Sequence, residues 1–159
     1  MKLSDKQIQR LLQFGAAQSV ENPLGYMSSV TDRSLLKLGL IEVEETRMRF
    51  GGPGAIGRAM MTVKVGKLTP AGHRYLGDCG FAPFPNEERF LGKRRVGYCA
   101  EHYLPFIACL AKGWVEITER TIQPQDWVKW KKTKAGRDAM KIERSPEEIN
   151  LINSVMPNE

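Results

Sequence analysis

The chain has 159 residues, 42% of them hydrophobic and 26% charged, which suits one sizeable core or two small cores that share an interface. Its longest apolar stretch is short and contains Pro105, so no segment matches a membrane span of about 20 apolar residues. The N-terminus lacks an apolar signal core, and the three cysteines follow no disulfide or zinc spacing. We therefore expect a cytoplasmic protein with reduced thiols, no membrane contact and no metal.

The net charge of +6 is concentrated in two blocks. Residues 1–45 carry five basic and six acidic residues, whereas residues 46–77 carry six basic residues and no acid. Residues 129–144 carry seven basic residues against two acidic ones. Such blocks of positive charge favour an anionic partner such as nucleic acid.

Two predicted helices open the chain. Ser4 and Gln7 have the spacing of a capping box and start a helix that runs to about Gln18. A second helix, from Tyr26 to Leu38, ends at Gly39, because glycine readily adopts the left-handed conformation that closes a helix.

A strand, a loop, a second strand and a capped helix follow the second helix. Residues 40–44 alternate apolar and acidic side chains, as a half-buried strand does. The second strand begins near Val63. Thr69 then caps a helix that has Pro70 at its first position, where a missing N–H does no harm.

The same pattern occurs again further along the chain. Gly113 ends a helix predicted over Tyr98–Lys112, residues 114–118 alternate as a strand, and Thr133 caps a following helix. The two glycines are 74 residues apart and the two threonines 64, so the first copy has ten extra residues between its strands. Ser145 caps a final short helix.

These elements predict a mixed α+β fold, rich in helix, made of two fused units that each contain a small antiparallel hairpin. The predicted division is a first unit at 1–80, a linker at 81–86, a second unit at 87–144, and a C-terminal short helix and tail at 145–159.

The pattern L-x-x-x-G-L-I-x-V from Leu35, followed by a hairpin and by L-T-x-A-G-x-x-x-L from Leu68, resembles the winged-helix branch of the helix-turn-helix proteins. The match covers Ser28 to Leu76, and Tyr98 to Met140 less fully, since Lys132 stands where an apolar residue is expected. The resemblance implies two tandem winged-helix-like units, with a recognition helix that ends at Gly39, the hairpin as a wing, and DNA as the ligand.

Three groups of residues are candidates for contact with nucleic acid. The polar residues of the predicted recognition helix, which either reach base edges or are ordinary surface residues, are Ser29, Thr31, Arg33 and Lys37. The cations of the long Gly-rich hairpin, which suit phosphates, are Arg47, Arg49, Arg58, Lys64 and Lys67. The cations of the second unit are Arg94, Arg95, Lys129, Lys131, Lys132, Lys134 and Arg137.

The tryptophans of the last group, Trp127 and Trp130, suit stacking on bases, although at least one of them is expected to fill the second core. We expect a non-enzymatic protein that binds duplex DNA and regulates transcription. Self-association into a homodimer, if it occurs, is expected through the second unit. No phosphate-loop, nucleophile-elbow or zinc-protease motif occurs, so no catalytic residue, metal or cofactor is predicted.

Two alternatives stay open. The first is a protein-interaction module, such as a phage-encoded inhibitor that binds host nucleic-acid or defence machinery, with apolar anchors at Phe50, Met60, Met61, Phe81 and Phe84. The second is RNA binding through the strand that carries the two tryptophans. An exposed apolar patch favours a protein partner, whereas a continuous positive stripe favours DNA.

Overall fold

Helices and two small antiparallel sheets make up a mixed α+β fold, as the sequence predicts. The structure is a computed structural model that describes residues 1–19, 29–50, 59–120 and 126–155, without the side chains of 18–19, 46–50 and 59–63. The helices in these ranges are α1 (Asp5–Ser19), α2 (Val30–Lys37), α3 (Pro70–Asp78), α4 (Pro85–Leu91), α5 (Leu104–Ala111), α6 (Lys134–Ala139) and α7 (Pro146–Val155). The strands are β1 (Ile41–Phe50), β2 (Ala59–Leu68), β3 (Val96–Ala100), β4 (Val115–Arg120) and β5 (Trp127–Lys132).

Capping residues fix where the first helices begin. The Gln7 N–H donates to Ser4 Oγ at 3.3 Å and the Ser4 N–H donates to Gln7 Oε1 at 2.9 Å, which confirms the predicted capping box of α1. Ser29 caps α2, so this helix begins at Val30; the part predicted over 26–28 lies outside the described residues.

The first sheet is the hairpin of β1 and β2, paired antiparallel from Ile41–Leu68 at its base to Phe50–Ala59. Ile41 and Leu68 join a buried core with α1, α2 and α3. The apolar base of the hairpin therefore anchors it to the helices of the first unit.

The second sheet has three strands in the order β3-β5-β4, where the sequence predicts a hairpin. The predicted helix over Tyr98–Lys112 is wrong in its first part. Tyr98 is exposed and Cys99 is buried, which is the alternation of a strand, and β3 pairs antiparallel with β5. Pro105 lies in the first turn of α5, where proline is tolerated, and does not kink a longer helix.

The same hydrogen bonds close both copies of the predicted repeat. In each copy the threonine hydroxyl donates to the carbonyl of the helix-ending glycine at 2.6 Å and accepts from the N–H of a later glycine at 3.1 Å. These sets are Thr69 with Gly39 and Gly72, and Thr133 with Gly113 and Gly136. Both helix-ending glycines have positive φ, 73° and 75°. The repeat in the sequence is therefore a repeat of local structure.

Residues 81–86, predicted as a linker, are packed into the molecule. Ala82, Pro83 and Phe84 are buried, and α4 already begins at Pro85. The Phe84 ring lies so close to Gly15 of α1 that a Cβ there would meet it at 2.5 Å. This segment thus joins the first core to α4 of the second unit.

A buried ion pair lies at the junction of the two units. Lys112 Nζ donates to both carboxylate oxygens of Glu87, at 2.7 and 2.9 Å, and the two side chains are 2% and 4% exposed. The same ammonium lies 5.1 Å from the Phe84 ring centroid and 4.5 Å from that of Trp114. One cation therefore contacts residues of both cores.

The C-terminal helix α7 packs against α1, at the opposite end of the chain. Ile152 and Val155 of α7 lie in the first core, and Ser145 caps the helix as predicted. Arg144, just before α7, donates to the Pro83 carbonyl at 3.0 Å. None of the helices in the described ranges combines the length and apolar character needed to cross a membrane.

The close approach of helix and strand in both repeats is testable by substitution. A Cβ at Gly72 would lie 2.2 Å from the Leu40 carbonyl oxygen, and one at Gly136 would lie 2.1 Å from that of Trp114. We expect Gly72→Ala and Gly136→Ala each to lower the free energy of unfolding by about 1–3 kcal/mol in urea denaturation, because the backbone must shift. The exposed neighbour Ala135, changed to Ser, is the control and should cost less than about 0.5 kcal/mol.

The junction pair predicts a large difference between two lysines. Lys112→Met leaves the buried Glu87 carboxylate without its cation and should lower the free energy of unfolding by about 3–5 kcal/mol. Lys131→Met removes an exposed partner of Glu116, 3.4 Å away, and should cost less than about 1 kcal/mol. Equal losses from the two variants would contradict a structural role for the junction pair.

His73, on α3 at this junction, predicts a pH effect. Burial first, and then the nearby Lys112 ammonium, lower the pKa of His73 from 6.5 to about 3. Between these values the unfolded chain takes up a proton that the folded chain does not, so stability falls as pH falls below 6.5. His73→Gln should reduce this loss, measured by urea denaturation from pH 7 to 4, by about 1.4 kcal/mol per pH unit. Parallel pH profiles for both proteins would show that His73 does not cause the effect.

Candidate nucleic-acid interface

The predicted recognition helix α2 offers only part of its polar face to solvent. The hydroxyl of Ser29 accepts from the Asp32 N–H at 3.2 Å as a helix cap, and Thr31 is half-buried. Arg33 and Lys37 are exposed. Of the four predicted contact residues, Ser29, Arg33 and Lys37 are therefore exposed, and the Ser29 hydroxyl already serves the helix cap.

Asp32 of α2 does not face solvent. It is fully buried and accepts two hydrogen bonds from the Arg10 guanidinium, at 2.6 and 3.0 Å. This two-pronged contact fixes α2 on α1. Because its carboxylate is paired and buried, Asp32 places no negative charge on the exposed face of this helix.

Acidic residues offset the described cations of the β1–β2 hairpin. Lys67 Nζ lies 3.6 Å from a Glu42 oxygen and 3.2 Å from a Glu44 oxygen. Lys64 is exposed, but the register places it directly opposite Glu45. The base of the hairpin is therefore not a positive surface. The side chains of Arg47 and Arg49, and all of Arg58, lie outside the described residues.

The second unit gathers its cations around the start of β3 and the end of β5. Arg94 and Arg95 are exposed in the turn before β3, and the Lys132 N–H donates to the Arg95 carbonyl. Lys131 is exposed opposite Val96. Lys134 and Arg137 are exposed on α6, and Arg137 lies close enough to lower the pKa of the Lys132 ammonium, after burial as the larger cause.

Lys132 itself is not a surface contact, which corrects its place among the predicted binding residues. Its side chain is buried, and its ammonium donates to the Gly92 carbonyl at 2.7 Å. The hydrocarbon part of the Lys132 side chain occupies the position that Leu68 occupies in the first copy. Its ammonium holds the turn that carries Arg94 and Arg95 through the hydrogen bond to Gly92.

Two aromatic rings and a lysine share the outer face of the second sheet. Tyr98 of β3 lies directly opposite Lys129 of β5, and the Lys129 ammonium is 5.6 Å from the Tyr98 ring centroid. Trp127 lies two residues from Lys129 on the same face. Tyr98 is 55% exposed and Trp127 is 41% exposed. We call Tyr98, Trp127, Lys129 and Lys131 the outer sheet face.

The two tryptophans of β5 have different roles. Trp130 is 1% exposed in the second core, where Phe90 packs on it with ring centroids 4.8 Å apart. Only Trp127 is thus placed for stacking on a ligand. The expectation that at least one tryptophan fills the core is confirmed.

Sequence reasoning missed Tyr98, Arg89 and Tyr103. The sequence predicts a helix from Tyr98 onward, although Val96 and Tyr98, two residues apart, lie on one face of β3 with the spacing of a strand. Arg89 and Tyr103 come from α4 and the segment before α5, which no charge block includes. The fold brings them beside Tyr98.

The remaining chemistry-bearing residues are the cysteines and the groups that could bind a metal ion. The three cysteines are free, and burial raises the pKa of the Cys99 thiol to about 11. Within the described ranges, no group of three His, Cys, Asp or Glu side chains is arranged to hold a metal ion. Of the predicted apolar anchors, Phe84 is buried and Phe81 packs against the first core, whereas the side chains of Phe50, Met60 and Met61 are not described.

Comparison with known proteins adds no relative: no protein-family model, curated protein or solved structure matches the chain.

Proposed function

We propose that the chain binds nucleic acid without catalysing a reaction, and that the outer sheet face makes the main contact. The observation that carries this proposal is the Lys129 ammonium over the exposed Tyr98 ring, with the exposed Trp127 beside it on the same face. Exposed rings beside lysines offer stacking and phosphate contact at once, which is how many proteins hold a polynucleotide.

Charge around the outer sheet face supports the same ligand. Arg94 and Arg95 are exposed just before β3, and Lys131 is exposed opposite Val96 at the start of that strand. Among the described residues only Lys131 of these three has an ion-pair partner, the exposed Glu116. The phosphates of a strand whose bases stack on Tyr98 and Trp127 would lie near these cations. Release of the strand's counterions would then contribute binding free energy.

Single-stranded nucleic acid suits this surface better than a duplex. A side-chain ring stacks on a base only where that base is unpaired and turned outward. Duplex DNA binding with a role in transcription, which the winged-helix resemblance implies, depends instead on α2 and the hairpin arginines Arg47, Arg49 and Arg58. Duplex DNA binding therefore stays a proposal for the first unit. A cytoplasmic location of the protein is likewise a proposal.

Substitutions on the two surfaces separate these modes. Tyr98→Ala and Trp127→Ala should each weaken binding of a single-stranded oligonucleotide by about tenfold, because one base loses its stacking partner. The double variant Lys129→Gln, Lys131→Gln should also flatten the slope of log affinity against log salt by about 1.4. Fluorescence anisotropy with matched single-stranded DNA, single-stranded RNA and duplex DNA measures all of these effects.

The matched control is Arg33→Gln, Lys37→Gln, which removes two exposed cations from α2. This control should keep its single-strand affinity within about twofold, since Arg33 and Lys37 lie on α2 and not on the outer sheet face. If it alone loses binding, and only to the duplex, the contact lies on α2 and the outer sheet face is not the interface. Absence of binding to every probe at low salt overturns the proposal as a whole.

A second candidate function, protein binding, is supported by a different surface. Val30, Leu36 and Leu38, in or just after α2, are 73%, 40% and 43% exposed. Exposed apolar side chains of this kind suit a protein partner better than a phosphate backbone. Capture of one defined protein that persists after nuclease treatment and is lost in Val30→Ser, Leu36→Ser would favour this function over the first.

A further inference from the structure

A cleft of about 270 Å³ opens beside the outer sheet face, between α4, β3 and the residues that lead into α5. Its size is just below the range of about 300–1,000 Å³ that is usual for small-ligand pockets. Asn86, Arg89, Arg94 and Cys99 line the cleft, together with the aromatic rings described next.

Aromatic side chains form the walls of this cleft. The Phe90 ring packs on Trp130, with centroids 4.8 Å apart, and on Tyr103 at 5.8 Å. Tyr98 and Tyr103 are 55% and 45% exposed, so both present ring surface to solvent. Such walls suit a flat aromatic group, which would stack on or pack edge-on against the rings.

Two arginines supply the charge. Arg89 and Arg94 are exposed, and in the described part of the chain neither forms an ion pair with an acidic side chain. No acidic residue lines the cleft. Guanidinium groups bind phosphate oxygens in a two-pronged geometry, so the pair suits a phosphate that is attached to the aromatic group.

A buried donor gives independent support. The Trp130 indole Nε1–H is buried and donates to no acceptor within the described residues, although Trp130 lines the cleft. Buried donors are almost always satisfied in folded proteins, so this unpaired donor, in a residue that lines the cleft, lacks an acceptor that a ligand could supply. Asn86 adds an amide that both donates and accepts, as recognition of a base edge requires.

We infer that this cleft binds one nucleoside phosphate, with the base between the aromatic walls and the phosphate on Arg89 and Arg94. The site goes beyond the proposed function. It rests on that function in one case, in which the bound nucleotide is the terminal unit of a strand held on the outer sheet face. In the other case the nucleotide is free. Burial raises the pKa of the Cys99 thiol in the wall, which favours its neutral form at neutral pH.

The test is a titration of the full chain with adenosine and cytidine monophosphates, their unphosphorylated nucleosides, and inorganic phosphate. The readouts are the assigned Trp130 indole N–H signal in NMR spectra and the dissociation constant. We expect a saturable shift with a monophosphate, and much weaker effects with the nucleoside or with phosphate alone. Equal binding of inorganic phosphate and of a monophosphate would overturn the base-binding part of the inference.

A pair of double variants of equal charge tests the arginines. Arg89→Gln, Arg94→Gln removes the two cleft cations, whereas Lys93→Gln, Lys141→Gln removes two exposed cations that do not line the cleft. The first should weaken monophosphate binding by about tenfold or more and the second by less than about threefold. Equal effects of the two variants would mean general charge attraction and would overturn the site.

Competition then identifies the source of the nucleotide. If a 5′- or 3′-phosphorylated oligonucleotide displaces the monophosphate and the unphosphorylated one does not, the site holds a strand end. If oligonucleotide and monophosphate bind together, it holds a free nucleotide. Oligonucleotide binding without any monophosphate binding sinks this inference and leaves the proposed function intact. Monophosphate binding without oligonucleotide binding overturns the proposed function and leaves this inference intact.

Discussion

The molecule depends on the buried contact between Lys112 and Glu87. Each charge carries a large desolvation cost that the other charge largely offsets, so α4 and the end of α5 must stay together. Glu87 also accepts from the Phe84 N–H, and the Phe84 ring reaches into the first core. One ion pair thereby couples the two cores, and it fixes α4, which forms one wall of the nucleotide cleft.

The repeat shows how one local structure acquires two uses. Both copies have the same threonine cap and glycine contact, yet the residue before the threonine is Leu68 in one and Lys132 in the other. The leucine completes a core, whereas the lysine reaches a carbonyl and holds the turn with its exposed arginines. A third strand, β3, is then added to the second copy and supplies Tyr98. The candidate binding surface arises where the copies differ.

Local rules predicted the parts of the fold that local rules govern. Ser4, Thr69, Thr133 and Ser145 cap helices because their hydroxyls meet N–H groups three residues away, so the sequence alone locates them. The strand β3 was missed because its stability comes from pairing with β5, about thirty residues away in sequence. For the same reason the burial of Lys132 and Asp32, and the meeting of Tyr98 with Lys129, could not be predicted from the sequence.

The packing of α7 on α1 has a consequence for how the chain folds during synthesis. Ile152 and Val155 fill the same core as Leu3 and Leu11, so that core joins residues from both ends of the described chain. Contacts of such large sequence separation form late, because a long loop must close first. During synthesis on the ribosome, the second unit, whose contacts are closer in sequence, can therefore fold before α7 emerges to complete the first core.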